Sequence, residues 1–416
     1  MKTMRESRTT PIWMDNRAIA LLTAASLTVM ANATISPALP GLERLFANDP
    51  NAAMLTRLLV PAPSLSVAIC APLAGLAADR FGRRRLLLVG VVLFVIVGCA
   101  GLFLPTLAAI FASRVMLGVA VALIMTTQTA LIGDYFSGDD RSALMGMQIA
   151  ARNFGGLIFI SLAGWVAAAS PRLVFAIYGL PVLVLPLMWR AIVDPVARAQ
   201  TPTGATPEDV EREHPSWALL LMLLVLVQGI TNMIFFVMPT QIAFYLQAEG
   251  FESTARTGAV LGTLMLTGGF CALLYPRIQR VTGYAGIFFL GYAAMGLGFL
   301  LLIVGANGPS LFAGAAAVGT GYALVSPGFV ALALGLAPPR SRGLSGGILT
   351  ASIFIGQFCS PLLSTPFIMM HGYEGLFQSI ASVLGVMAAA AGVIGVAMWL
   401  RLRSSGDGRE DRQFPA

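Results

Sequence analysis

Long apolar runs alternate with short polar interruptions from near the start of the chain to near its end. The runs are too long for the two-residue alternation of barrel strands. A helix needs about 20 apolar residues to cross a hydrocarbon core. By that measure the pattern predicts twelve spans, at 17–39, 57–78, 86–104, 107–131, 144–168, 172–193, 216–240, 256–277, 284–305, 309–333, 344–369 and 376–400. The first run follows a basic segment carrying Lys2, Arg5, Arg8 and Arg17, and it is too long for a signal-peptide core. The longest interruption holds four prolines, Pro195, Pro202, Pro207 and Pro215, beside Glu208, Asp209, Glu211 and Glu213. It reads as a polar linker at the midpoint of the chain. The expected organisation is a six-helix bundle over 1–193, a linker over 194–215, a second bundle over 216–403 and a polar tail over 404–416.

Composition agrees with that pattern. Of 416 residues, 57% are hydrophobic and 11% charged, against about 25% charged in a soluble domain. The formal charge of +7 does not point to nucleic acid, because the arginines sit in short clusters between apolar runs. With both termini in the cytoplasm, Arg80, Arg83, Arg84, Arg85, Arg141, Arg190, Arg198, Arg212, Arg277, Arg280, Arg340, Arg342, Arg401 and Arg403 fall on one side. Only Arg44, Arg57, Arg172 and Arg256 fall on the other, which fixes the expected orientation. Cys70, Cys99, Cys271 and Cys359 lie in apolar runs without metal-ligand spacing, and His214 and His371 lie in connections. Neither a metal site nor a cofactor is expected.

The halves of the chain resemble each other. At an offset of 201 residues Gly82 matches Gly283, Gly118 matches Gly319, Arg141 matches Arg342, Gly146 matches Gly347 and Gly155 matches Gly356. Five gap-free matches in equivalent places predict two six-helix repeats in parallel orientation, with a substrate site between them.

Between the second and third spans stands Gly75-Leu76-Ala77-Ala78-Asp79-Arg80-Phe81-Gly82-Arg83-Arg84-Arg85. Gly82 suits a tight reversal, and Asp79 at a helix end needs a basic partner. The stretch closely resembles the loop signature of the major facilitator superfamily. Arg114-Val115-Met116-Leu117-Gly118 resembles a second signature, in helix four of the drug:proton antiporter branch. Gly356-Gln357-Phe358-Cys359-Ser360-Pro361 resembles helix eleven of bacterial efflux permeases of that superfamily. The resemblance covers nearly the whole chain. It implies an inner-gate charge cluster formed by Asp79, Arg83 and Asp134 around the Gly82 turn. Arg84 and Arg85 are read from their charge as fixing topology.

Two departures bear on mechanism. The fifth span carries Asn153-Phe154-Gly155-Gly156 without the proline expected of the antiporter signature, and the first span has no embedded acid. No carboxylate lies at mid-membrane depth; the buried charges are Arg114 and Arg152. Residues 114, 118, 121, 125 and 128 share one helical face, so Met125 and Gln128 are expected to line a cavity with Arg114. Further cavity candidates are Asn32, Gln148, Gln228, Asn232 and Gln357, with Met30, Phe235 and Phe236 as soft lining. Two arginines could make the cavity friendly to anions, or be neutralised by Asp134 and backbone carbonyls.

The expected function is export of small molecules by alternating access, driven by protons, by a monomer in the bilayer of a bacterial inner membrane. Uptake or exchange of an organic anion is the alternative within transport. A non-transporting sensor with a transporter fold is the alternative outside it. No constellation suited to an intramembrane enzyme appears in the spans.

Overall fold

The computed structural model describes residues 14–136, 138–193, 217–251, 253–305, 308–336 and 342–410. The side chains of Asp79, Arg141 and Arg342 lie outside the described residues, as do Arg340 and the predicted linker. Among the described residues the fold is all-helical: α1 (Asn16–Ala33), α2 (Leu39–Leu45), α3 (Ala52–Leu58), α4 (Ala62–Phe81), α5 (Arg83–Cys99), α6 (Leu107–Tyr135), α7 (Gly138–Ala169), α8 (Leu185–Ala191), α9 (Trp217–Ala248), α10 (Thr254–Ile303), α11 (Pro309–Leu336) and α12 (Arg342–Glu410). Nine of these described stretches are long and apolar enough to cross a membrane, or ten when the bent pair α3–α4 is counted as one.

Prolines account for most departures from simple rods. The first predicted span breaks before its expected end into a 3₁₀ turn over 36–38 and continues past it as α2, because Pro37 and Pro40 cannot donate to the preceding turn. The second is bent by 47° between α3 and α4, where Pro61 and Pro63 stand. The sixth is a 3₁₀ stretch over 173–183, with Pro181 inside it, followed by α8. At the other end of the chain, α12 runs on to Glu410 instead of stopping near residue 403.

Glycine marks the sharp turns. Gly82 (φ 92°) separates α4 from α5, Gly283 (φ 67°) kinks α10, and Gly372 (φ 71°) kinks α12. An L side chain avoids that region of the map. The kinks at Gly283 and Gly372 fall in the polar interruptions between predicted spans.

Lipid gives helices no hydrophobic reason to pair, so close contact relies on small residues. α4 crosses α6 at Gly118, where an added Cβ would collide with the Pro63 carbonyl and stand 2.7 Å from Ser66 Cβ. α10 crosses α11 at Gly319, where a Cβ would collide with the Leu264 carbonyl and stand 2.9 Å from Thr267 Oγ1. The contacts correspond residue for residue, because Leu264 and Thr267 follow Pro63 and Ser66 by the same 201 positions. Gly90 against Leu123 and Ile124 recurs as Gly291 against Leu324 and Val325. Elsewhere α7 meets α10 with almost nothing between backbones. A Cβ on Gly164 would lie 2.9 Å from the Thr254 carbonyl and 3.0 Å from Gly258 Cα, and Thr254 Oγ1 donates to the Gly164 carbonyl at 2.9 Å.

Candidate functional site

A cavity of about 430 Å³ lies at the middle of the molecule. It is walled by α1, α4, α6 and α7 on one side and by α9, α10, α11 and α12 on the other. Towards the end that carries Pro37, the segment 36–38 and helices α2 and α3 pack on α9, and parts of the same region reach α10 and α12. There the Arg57 guanidinium sits 4.0 Å from the ring centroid of Phe244 and pairs with Glu43 at 3.4 Å.

Of the described residues lining the cavity, Arg152 alone carries a charge. It projects from α7. Among the described residues it makes no ion pair, and its buried Nε has no hydrogen-bond partner. Beside it the wall is aromatic and soft. Phe235 and Tyr322 stack at 3.8 Å between centroids and 14° between planes, with Phe236, Phe354, Met125 and Met265 near them. The Tyr322 hydroxyl donates to Asn232 Oδ1 at 2.7 Å, and Asn232 Nδ2 donates to the Gln228 carbonyl at 2.9 Å. Asn232 is therefore a buttress behind the aromatic wall, not lining.

A second polar group closes the space between α1, α4 and α12. Ser64 Oγ donates to Gln357 Oε1 at 2.7 Å, and Asn32 Nδ2 lies 3.4 Å from Ser64 Oγ and 3.5 Å from Gln357 Oε1. Asn32 Oδ1 is buried and accepts from none of the described residues. A buried amide oxygen without a donor costs about 1–3 kcal/mol.

Of the expected cavity residues, Asn32, Met125, Arg152, Phe235, Phe236 and Gln357 line the cavity. Arg114, Gln128, Gln148, Gln228, Asn232 and Met30 do not. Gln128 is fully buried and its Nε2 donates to the Leu21 carbonyl at 2.8 Å, tying α6 to α1. Gln148 and Gln228 are buried outside the lining. Arg114 is the largest correction. It is fully buried, donates from Nη2 to the Gly98 carbonyl at 3.0 Å, and lies 5.1 Å from the Phe175 ring and 4.5 Å from the Tyr178 ring. The Tyr178 hydroxyl in turn donates to the Ala31 carbonyl at 3.1 Å. Gly98 and Gly101 make this nest possible, because a Cβ on either would strike Tyr178 or Phe175. Each desolvated ring contact contributes about 1–2 kcal/mol, against the cost of a buried guanidinium whose Nε and Nη1 have no hydrogen-bond partner among the described residues.

At the opposite end, Arg83 Nη1 donates to Asp134 Oδ1 at 2.5 Å, next to the Gly82 turn. Arg84 does more than set topology: its Nη2 donates to the Trp189 carbonyl at 2.9 Å and its charge lies 5.2 Å from the Trp189 ring. The Tyr135 hydroxyl bonds the backbone of Val193, joining α6 to the same corner. The Asp79 side chain lies outside the described residues.

Sequence reasoning missed Tyr322, Ser64, Phe175 and Tyr178. A signal existed for the tyrosines, since a phenol inside an apolar run needs a partner. Which partner it finds is a tertiary matter.

Residues 21–306 match the family model described as Major Facilitator Superfamily. The chain is 22% identical over 344 residues to "Quinolone resistance protein NorA" of Staphylococcus aureus, covering 79% of this chain and 85% of that protein. It is 29% identical over 157 residues to "Bacillibactin exporter" of Bacillus subtilis; that match spans 36% of this chain and 38% of the exporter. Among solved structures it is similar to a D-xylose-proton symporter, with TM-score 0.73 at 19% identity over 90% of this chain and 96% of that one. It is also similar to the human organic anion transporter MFSD10 (TETRAN), with TM-score 0.68 at 19% identity over 92% and 100%.

Proposed function

Because the chain belongs to the major facilitator superfamily and is a transporter rather than an enzyme, we propose that it exports small amphipathic molecules by alternating access. The observation that carries this reading is the central cavity, walled by helices from both sides of the 194–215 segment. Breaking α10 at Gly283 and α12 at Gly372, and counting α3 with α4 as one span, gives twelve crossings. The register-matched crossings at Gly118 and Gly319 support two parallel six-helix bundles, 1–193 and 216–403.

The arginine bias puts both termini and the Gly82 turn in the cytoplasm. The packed Pro37 end is then the outer seal, and the cavity serves the inner side in this state. A plasma membrane location, the inner membrane of a bacterium, belongs to the same reading. Those relatives include an exporter and a drug-resistance protein, which favours efflux over uptake. Asp79, Gly82, Arg83 and Asp134 form the inner gate. Closing it from the cytoplasmic side locks one state and so biases the equilibrium between the two. A proton gradient is the driving force in this reading. Asp134 is a described acid of that gate, with Oδ1 on Arg83 and Oδ2 buried beside it.

The test is flux into inverted vesicles, with and without a proton gradient, across anionic, neutral and cationic compounds. Gradient-dependent accumulation of one class supports the proposal. Counterflow without gradient dependence would instead mean exchange. Binding with no flux in either direction would point to a sensor.

A further inference from the structure

We propose that the central cavity is an anion site. It takes a small aromatic molecule with one anionic group, such as an aryl carboxylate, the anion on Arg152 and the ring on the Phe235–Tyr322 stack. The inference rests on the transport reading for its setting and deepens it by naming a substrate class.

Arg152 is the centre of the argument. Arg114 in α6 lies outside the cavity, against a carbonyl and two rings, with its Nε and Nη1 unpartnered among the described residues. Arg152 has neither ion pair nor hydrogen bond among the described residues, and its Nε is buried. A guanidinium carries five donors in a planar fork, and a carboxylate satisfies two of them at once. In an apolar cavity that pairing is far stronger than in water. An organic cation meets the opposite situation. No acid stands among the described lining residues, so a cation would be desolvated against a like charge.

The remaining walls fit the other parts of such a guest. Tyr322 is held by its bond to Asn232, so the stacked faces stand in place before a ligand arrives. Across the cavity, Asn32, Ser64 and Gln357 form a polar corner of the lining that suits a hydroxyl or amide N–H. The volume of about 430 Å³ is at the smaller end of ligand cavities and admits a two-ring compound.

The experiment uses the purified full chain in lipid nanodiscs at neutral pH. Three probes share one ring system and differ in charge: 1-naphthaleneacetate, 1-naphthaleneacetamide and 1-naphthylethylamine. Calorimetric titration should give acetate binding at least ~10-fold tighter than the amide, with the amine weakest. Arg152→Gln should remove the preference for acetate, and Arg152→Lys should keep part of it. Ser326 lines the same cavity one turn from Tyr322. Ser326→Asp places a carboxylate there, so acetate binding should vanish and the amine should gain. Folding is judged for each variant by a monodisperse detergent peak, and either of the Arg152→Gln and Ser326→Asp variants suffices if the other fails it. Three results overturn the proposal: no acetate binding, amide or amine bound as tightly as acetate, or a preference that survives in folded Arg152→Gln or Ser326→Asp. The two readings part cleanly. Acetate preference without vesicle flux removes transport and leaves the anion site. Flux of the amine or amide, indifferent to Arg152, does the reverse.

Discussion

Arg114 in α6 and Arg152 in α7 both stand well inside apolar helices, and they live in different surroundings. Arg114 is fully buried against Phe175, Tyr178 and the Gly98 carbonyl and is not part of the cavity lining, although its Nε and Nη1 have no hydrogen-bond partner among the described residues. Arg152 faces the cavity, and no described residue pairs with it. One charge is held away from the cavity by a carbonyl and two ring faces. The other is left for something that enters. The difference teaches that burial of a charge does not by itself indicate function; what matters is whether the fold has already supplied its partners.

The largest expected effect separates the two. Arg152→Gln should lower flux of the anionic probe per folded molecule by about 100-fold, the order of a lost charged contact at a dry site, while the thermal midpoint stays near wild type. A midpoint that falls in step with flux would make Arg152 structural and erase the contrast. Arg114→Ala should behave the opposite way. It leaves a buried carbonyl and two rings around an emptied space, costing about 3–5 kcal/mol of stability. Survivors should keep the wild-type preference for acetate over amide in titration. Loss of that preference would mean that Arg114 does reach the site.

Two smaller changes probe the housings. Gly98→Ala puts a Cβ 2.6 Å from Tyr178 Cβ, so it should displace the ring from Arg114 and cost about 1–3 kcal/mol, read as a lower unfolding midpoint with unchanged probe affinity. Tyr322→Phe keeps the stack with Phe235 but strands Asn232 Oδ1. It should cost about 1–2 kcal/mol in stability and weaken acetate binding about two- to fivefold through a looser ring. An unchanged affinity would show that the stack needs no hydroxyl anchor.

Much of the fold was legible in the chain. Apolar run length located the α6 span, expected over 107–131 and found from Leu107 to Tyr135. The expected reversal at Gly82 is a positive-φ glycine, and the Arg83–Asp134 pair named from the loop signature is an ion pair. Arg114 was the failure, and its cause is geometric. Helical spacing says which residues share a face, not what stands opposite that face at each height. On α6 the face of residues 114 to 128 meets the cavity only around Val121 and Met125. One end of it turns into the aromatic nest, and the other bonds α1 through Gln128. Tyr322 was illegible for a related reason. Its importance comes from stacking on a residue 87 positions away, which no local pattern encodes.

The seam at Gly164 and Gly258 bears on the speed of the cycle. Most helix pairs interlock like gears, and separating them requires side chains to disengage and find new rotamers. Here the surfaces are smooth: two α-carbons face each other, and a single hydroxyl of Thr254 bridges the gap. Such a joint rolls as a plain bearing does, with little friction from repacking. Motion across it should have a shallow temperature dependence. Gly258→Ala, by adding one tooth, should steepen the Arrhenius slope of flux more than it changes substrate affinity.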